Sequence, residues 1–208
     1  MIYFDIGANV GKYIDVLLSN INPQDTIIAV EANDELCNFL SKKYSDKNVI
    51  IENCLLSEKV GYGDFYICNA NTISTCNRKW IEESRFSNNS QYYWNKIQKE
   101  TSTLDVLISK YGLPEMIKID VEGHEKEVLN GLNYKIDKLC FEYAEELYED
   151  TNKCIDKLKS LGYIEFAFTI NDMLFNDSDL TYSKWEDSEI HTISIPKRKE
   201  LWGMIWAR

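Results

Sequence analysis

Short apolar runs alternate along the chain with stretches in which apolar residues recur every three or four positions. "MIYFDI" is an apolar strand, and beyond it, around the glycines Gly7 and Gly11, Val10, Ile14, Leu17, Leu18 and Ile21 fall on one helical stripe. "DTIIAVEAND" repeats the scheme: Ile27 to Val30 form a buried strand, then Leu36, Phe39, Leu40 and Tyr44 line a helix begun near Asn33 or Asp34. "NVIIENCLL" reads as a third strand, and "GYGDFYIC" as an extended partner reached through a glycine turn. "TLDVLISKYG" is a helix capped by Thr103 and ended by Gly112. The strand "MIKIDVEGHE" leads into the helix "EKEVLNGL". The strand "LCFEYAEEL" leads into a helix bearing Cys154, Ile155, Leu158 and Leu161 that stops at Gly162. Strands that alternate with helices predict an α/β fold, a parallel sheet with right-handed crossovers. Two last extended pieces, "IEFAFTI" and "WGMIWA", suit an antiparallel edge.

One segment breaks the pattern. From Asn69 to Ser102 the chain turns to Asn, Ser and Lys, interrupted by Trp80, Phe86, Tyr92, Tyr93 and Trp94, and no strand is expected there. A long insertion at the mouth of an α/β cleft usually serves function. It is read as a lid over about 69–102 in a single domain spanning 1–208, with aromatic rings available to stack on a sugar face or close over a ligand.

Composition removes several function classes. A length of 208 residues supports a core without metal or disulfide staples. The net charge of −11 opposes a main task of gripping nucleic acid or an anionic membrane, and the basic run "PKRKE" reads as a solvated loop. With no apolar stretch of roughly 18 residues and no signal-peptide pattern, a cytoplasmic protein is expected. Six cysteines without a C-x-x-C pair, beside His124 and His191 alone, fit reduced thiols better than zinc.

Ligands of open parallel sheets bind outside the carboxyl ends of the strands, and here those ends carry Asp5, Glu31, Asn53, Asp120 and Glu142. The cleft is therefore acidic. "GANVGKY" has three residues between its glycines and ends in Tyr13, so it is no Walker loop, and Asn9 stands where a dinucleotide fingerprint needs its second glycine. A nicotinamide oxidoreductase is thus disfavoured. S-adenosylmethionine fits better, since it has no phosphate and carries a sulfonium, an ammonium, a carboxylate and a ribose diol. Gly7 and Gly11 permit close backbone approach, and Asp5 supplies negative charge beside the cationic groups. Asn9 can bond the methionine end, Glu31 can accept both ribose hydroxyls, and Asn53 with the Cys54 backbone can read the adenine edge.

"FDIGANVGKY", "VEAND", "ENCLLSEKVG", "TSTLDVL" and above all "IKIDVEGHEKEVLNGL" resemble the FkbM-like methyltransferases, in order and over about Tyr3 to Glu142. The resemblance implies the class I methyltransferase fold, Rossmann-like and mostly parallel with seven strands, and methylation of hydroxyls on sugars or natural products with S-adenosylmethionine. It implies cofactor roles for Asp5, Gly7, Asn9, Glu31 and Asn53 and a site role for Asp120 and Glu122. The chain opens directly on its first strand, without the segment that usually precedes it in the family, so a second copy helping to cover the cleft, a homo-oligomer, is an open expectation.

Methyl transfer to a hydroxyl needs an aligned acceptor and a base or a metal. Asp120, Glu122, His124 and Glu142 are the catalytic candidates, with His124 the base nearest neutrality. No metal site is expected as the first reading, and Mg²⁺ held by the three acids is the alternative. The expected partner is a small-molecule or glycan acceptor. A catalytically degenerate binding module is the alternative from another class.

Overall fold

The computed structural model describes residues 1–170, 180–187 and 201–208. His191 and "PKRKE" lie outside the described residues. The chain runs β1 (Ile2–Ile6), α1 (Lys12–Asn20), β2 (Thr26–Val30), α2 (Asp34–Lys43), β3 (Val49–Glu52), β4 (Leu55–Leu56), β5 (Gly61–Cys68), α3 (Arg78–Glu83), β6 (Trp94–Ser102) and α4 (Leu104–Tyr111). It continues through β7 (Met116–Ile119), α5 (Glu125–Asn130), β8 (Lys138–Ala144), α6 (Tyr148–Ser160), β9 (Phe166–Ile170) and β10 (Trp202–Ala207).

A seven-stranded sheet has the order β3-β2-β1-β7-β8-β10-β9. Strands β3 to β8 in that order pair in parallel, and β10 inserts between β8 and β9, antiparallel to both. Strand β2 shows why helices cover both faces. Its side chains alternate, so Ile28 and Val30 enter one core with Leu104, Leu107, Val128 and Ile155, while Ile27 and Ala29 enter the other with Ile14, Leu17 and Leu40. Each fully buried Ile or Leu contributes about 1.5 to 3 kcal/mol, so a one-residue slip of this strand would be strongly penalised.

The helix caps follow the sequence. Asn33 accepts from the Glu35 N–H, and Thr103 accepts from the Val106 N–H. All six cysteines are free thiols. Among the described residues no helix is long and apolar enough to cross a membrane.

Two sequence expectations need correction. "NVIIENCLL" is two strands, because the chain turns at Asn53 and Cys54. The first half pairs with β2, and Leu55–Leu56 pairs with β6 in a separate three-stranded sheet of order β4-β6-β5. The segment 69–102 does contain a strand, since β6 pairs antiparallel with the whole of β5, from Cys68↔Trp94 to Gly61↔Thr101. Its residues, "WNKIQKETS", carry weak intrinsic β preference and little alternation. Cross-strand partners decided its structure, as they often do for strands.

Candidate active site

The strand order reverses at β1, with β2 on one side and β7 on the other, and a crevice forms outside the carboxyl ends at such a point. A cavity of about 600 Å³ opens there. Its walls come from the turn after β1, the ends of β2, β7 and β8, the Cys54–Leu56 stretch and the segment between β5 and β6.

The turn after β1 is shaped by glycines. Gly7 and Gly11 both have φ near +81°, and Asn9 is also left-handed at +48°. A Cβ on Gly7 would lie 1.8 Å from the Asp120 carbonyl oxygen, and one on Gly11 would lie 2.3 Å from the Tyr44 hydroxyl. The close approach these glycines allow is therefore to the protein's own β7 end and α2. Gly7 also lines the cavity, whereas Gly11 does not.

Glu31 closes the next strand end. It is buried, and its two oxygens each accept a backbone N–H, Oε2 from Asn9 and Oε1 from Asn33, both at 2.8 Å. Burial pushes its pKa up, and those hydrogen bonds pull the other way. The contacts fix the carboxylate plane at the cavity wall and leave lone pairs on both oxygens for a ligand. Asn9 lines the cavity too, and its Oδ1 is buried with no hydrogen-bond partner among the described residues. A ligand donor is the natural way to satisfy it.

Asp5 and Asn53 do not line the cavity. Asp5 is fully buried beneath it, 3.5 Å from Lys118 Nζ, and neither of its oxygens accepts a hydrogen bond of good geometry. Burial pushes its carboxyl up, against the attraction of Lys118. Asn53 is exposed and donates to Asp34 Oδ1 at 2.6 Å. Its neighbour Cys54 does line the cavity, and burial raises the thiol to about 11, so it is an inert wall group.

The other end gathers the four acid–base candidates. Asp120, Glu122, His124 and Glu142 all line the cavity, and the ligand atoms of the three acids lie within 4.8 Å of one another, a spacing at which carboxylates can share one cation. Burial lowers the His124 pKa, partly opposed by Glu127, whose Oε2 is 3.4 Å from Nδ1. Burial thus favours the neutral imidazole.

Several residues that shape this end were not singled out from sequence. Glu125 is buried behind the 120–124 turn, and its Oε1 accepts from the Val121 N–H at 2.9 Å and the Gly123 N–H at 3.3 Å. Those bonds hold Glu122 left-handed, at φ +53°. From the other side Thr75 donates to the Glu122 carbonyl and Asn77 to the Gly123 carbonyl, each at 2.6 Å. Lys118 lies 3.0 Å from Asp120 Oδ2. Its one sequence signal was a lysine inside an apolar run.

The expected lid over 69–102 resolves into strand β6 and a cap over about 69–93. Arg85 anchors the cap, donating from Nε and Nη2 to the two Glu146 oxygens at 2.7 Å each. Trp80 and Phe86 line the cavity. The cap's rings also pack edge to face on one another, Trp80 on Phe86 and Phe86 on Tyr92, with centroids 5.7 Å apart in both pairs.

Comparison with known proteins adds a family. The methyltransferase FkbM domain matches residues 5–165 of the chain. Among solved structures, methyltransferase FkbM from Methylobacillus flagellatus KT superposes with a TM-score of 0.57 at 13% identity, over 99% of this chain and 43% of that one. This chain thus spans less than half the length of that relative. Fibrillarin from Aeropyrum pernix, solved with natively bound S-adenosyl-L-methionine, gives a TM-score of 0.46 at 11% identity, over 99% of this chain and 65% of that one. No curated protein sequence matches.

Proposed function

The chain belongs to the methyltransferase FkbM family, and from that premise we propose that it transfers a methyl group from S-adenosylmethionine to a hydroxyl of a saccharide, a glycan end or another small polar acceptor. The observation that carries this reading is Glu31, a buried carboxylate oriented by two backbone N–H groups at the cavity wall. That arrangement suits a ribose diol and would repel a 2′-phosphate. Glu31 would hold the ribose, Cys54 and Leu55 would wall the adenine, and Asn9 with Asp120 would hold the methionine end.

When bound, S-adenosylmethionine supplies an activated methyl group and its own leaving group. The chain's residues have to orient the acceptor, exclude water and take one proton. The β8 side of the cavity, where Glu122, His124 and Glu142 stand under the cap, is the acceptor end. The imidazole of His124, kept neutral by burial, is the proposed base. Its Nδ1 faces Glu127, which leaves Nε2 to take the proton. The indole N–H of Trp80 is buried without an acceptor among the described residues, which supports a polar, oxygen-bearing substrate.

Calorimetry tests the cofactor assignment. S-adenosylmethionine and S-adenosylhomocysteine should bind and NADH should not, and Glu31→Ala should cost on the order of 1 to 3 kcal/mol. Tight NADH binding, or unchanged affinity in Glu31→Ala, would reject it. A screen of hydroxylated acceptors with labelled S-adenosylmethionine, scored by S-adenosylhomocysteine release, then tests the chemistry. With an acceptor found, His124→Ala should lose roughly 10² to 10⁴ in rate while still binding cofactor. Loss of activity with EDTA and recovery with Mg²⁺ would instead assign the proton problem to a metal held by the three acids.

A further inference from the structure

Lys118 is a buried lysine, 7% exposed, on the central strand β7, directly beside Asp5 in the parallel register with β1. Its Nζ lies 3.0 Å from Asp120 Oδ2 and 3.5 Å from Asp5 Oδ1, and it sits over the Tyr13 ring, 5.5 Å from the centroid. Burial alone would strip its proton, yet the Asp120 and Asp5 carboxylates outweigh that effect and hold the ammonium above lysine's ordinary value. It is a permanent cation in the sheet.

Stability does not explain the arrangement. A buried ion pair seldom outperforms apolar side chains of the same volume, and the neighbouring strand positions Ile117 and Ile119 are fully buried isoleucines. The location is more informative. Lys118 and Asp120 both line the cavity, and Asp120 keeps 23% of its side chain accessible. The ion pair with Lys118 engages Oδ2, and the carboxylate has a second oxygen with which to accept from a ligand.

We propose that Lys118 is a positioning residue, whose ammonium fixes the Asp120 carboxylate so that it receives the amino-acid ammonium of the cofactor. The proposal rests on the S-adenosylmethionine reading above and assigns one end of that ligand to one side-chain pair. Asp5 supplies the charge balance for Lys118 beneath the floor and touches no ligand.

The test uses three ligands on the intact chain. S-adenosylmethionine and S-adenosylhomocysteine carry the amino-acid end, and methylthioadenosine lacks it. Lys118→Met alone strands Asp5 in the core and is expected to lower the melting temperature. The double variant Asp5→Asn/Lys118→Met removes that stranded charge and should regain most of it. In the double variant, binding of S-adenosylmethionine and S-adenosylhomocysteine should still be weaker by about tenfold or more, while methylthioadenosine binds as in the wild type, since only one charge-assisted contact is disturbed. Asp120→Asn should weaken the same two ligands, and adding it to the double variant should cost no more than the larger change alone. Wild-type affinity for S-adenosylhomocysteine in the double variant would reduce Lys118 to a partner of Asp5 and overturn the proposal. Equal weakening of methylthioadenosine would overturn it too, by assigning the effect to the shape of the cavity. A wild-type protein that binds none of the three would instead overturn the cofactor reading itself.

Discussion

At the scale of single residues, the pattern in the cavity is of charged groups held by their own backbone. Glu31 is clamped by Asn9 and Asn33, and Glu125 clamps the turn that carries Glu122. Glu125 has a measurable consequence. Burial, reinforced by Asp120 and opposed by its backbone hydrogen bonds, raises its carboxyl from 4.5 to about 7. Between those values the folded protein holds a proton that the unfolded chain has released. Stability from this group is fully present below about pH 4.5 and is lost as pH rises through about 7. Glu125→Gln has no such proton to lose. Melting temperatures of the two proteins, followed from pH 4.5 to 8, should therefore diverge, with the wild type losing ground to the variant as pH rises. Parallel curves would mean that Glu125 stays ionised behind its two N–H donors.

At the scale of elements, most boundaries were legible because local chemistry and tertiary demand agreed. The helices begun at Asn33 and Thr103 start where their caps predict. The β1 turn was legible as a glycine turn between strand and helix, but the job of its glycines was not, because their contacts come from β7 and α2, far along the chain. Gly7→Ala would combine a left-handed φ with a Cβ 1.8 Å from the Asp120 carbonyl oxygen. Backbone would have to move, so a loss of at least about 2 kcal/mol is expected in urea unfolding. A cost under half that would show that the turn and the β7 end relax apart easily. Strand β6 is the converse case. Its lysines, glutamine and glutamate hid it, and only β5 lying alongside made it a strand.

At the scale of the whole molecule, the seven-stranded class I sheet and the three-stranded sheet with its cap both contribute walls to the cavity. The cap is joined to the large sheet through the Thr75 and Asn77 bonds to the 120–124 turn and the Arg85–Glu146 pair. Breaking that half-buried pair in Arg85→Met should weaken closure by about 1 to 2 kcal/mol, which is about a five- to thirtyfold rise in local opening. Limited proteolysis should then cut within residues 69–93 faster by that order, while S-adenosylhomocysteine affinity changes little. Unchanged cleavage would place the anchoring in the hydrogen bonds to the turn instead. The sequence by itself determined the α/β alternation, the family and the acids at the strand ends, because periodicity, caps and strand-end residues are local properties. Only the tertiary structure decided that Asp5 and Asn53 stand back from the cavity, that Lys118 and Glu125 shape its floor and its far end, and that the last nine residues of the expected lid are a strand. Each of those depends on a partner distant in sequence, Asp5 on Lys118 and β6 on β5, and such a partner is absent from any local pattern of apolar and polar residues.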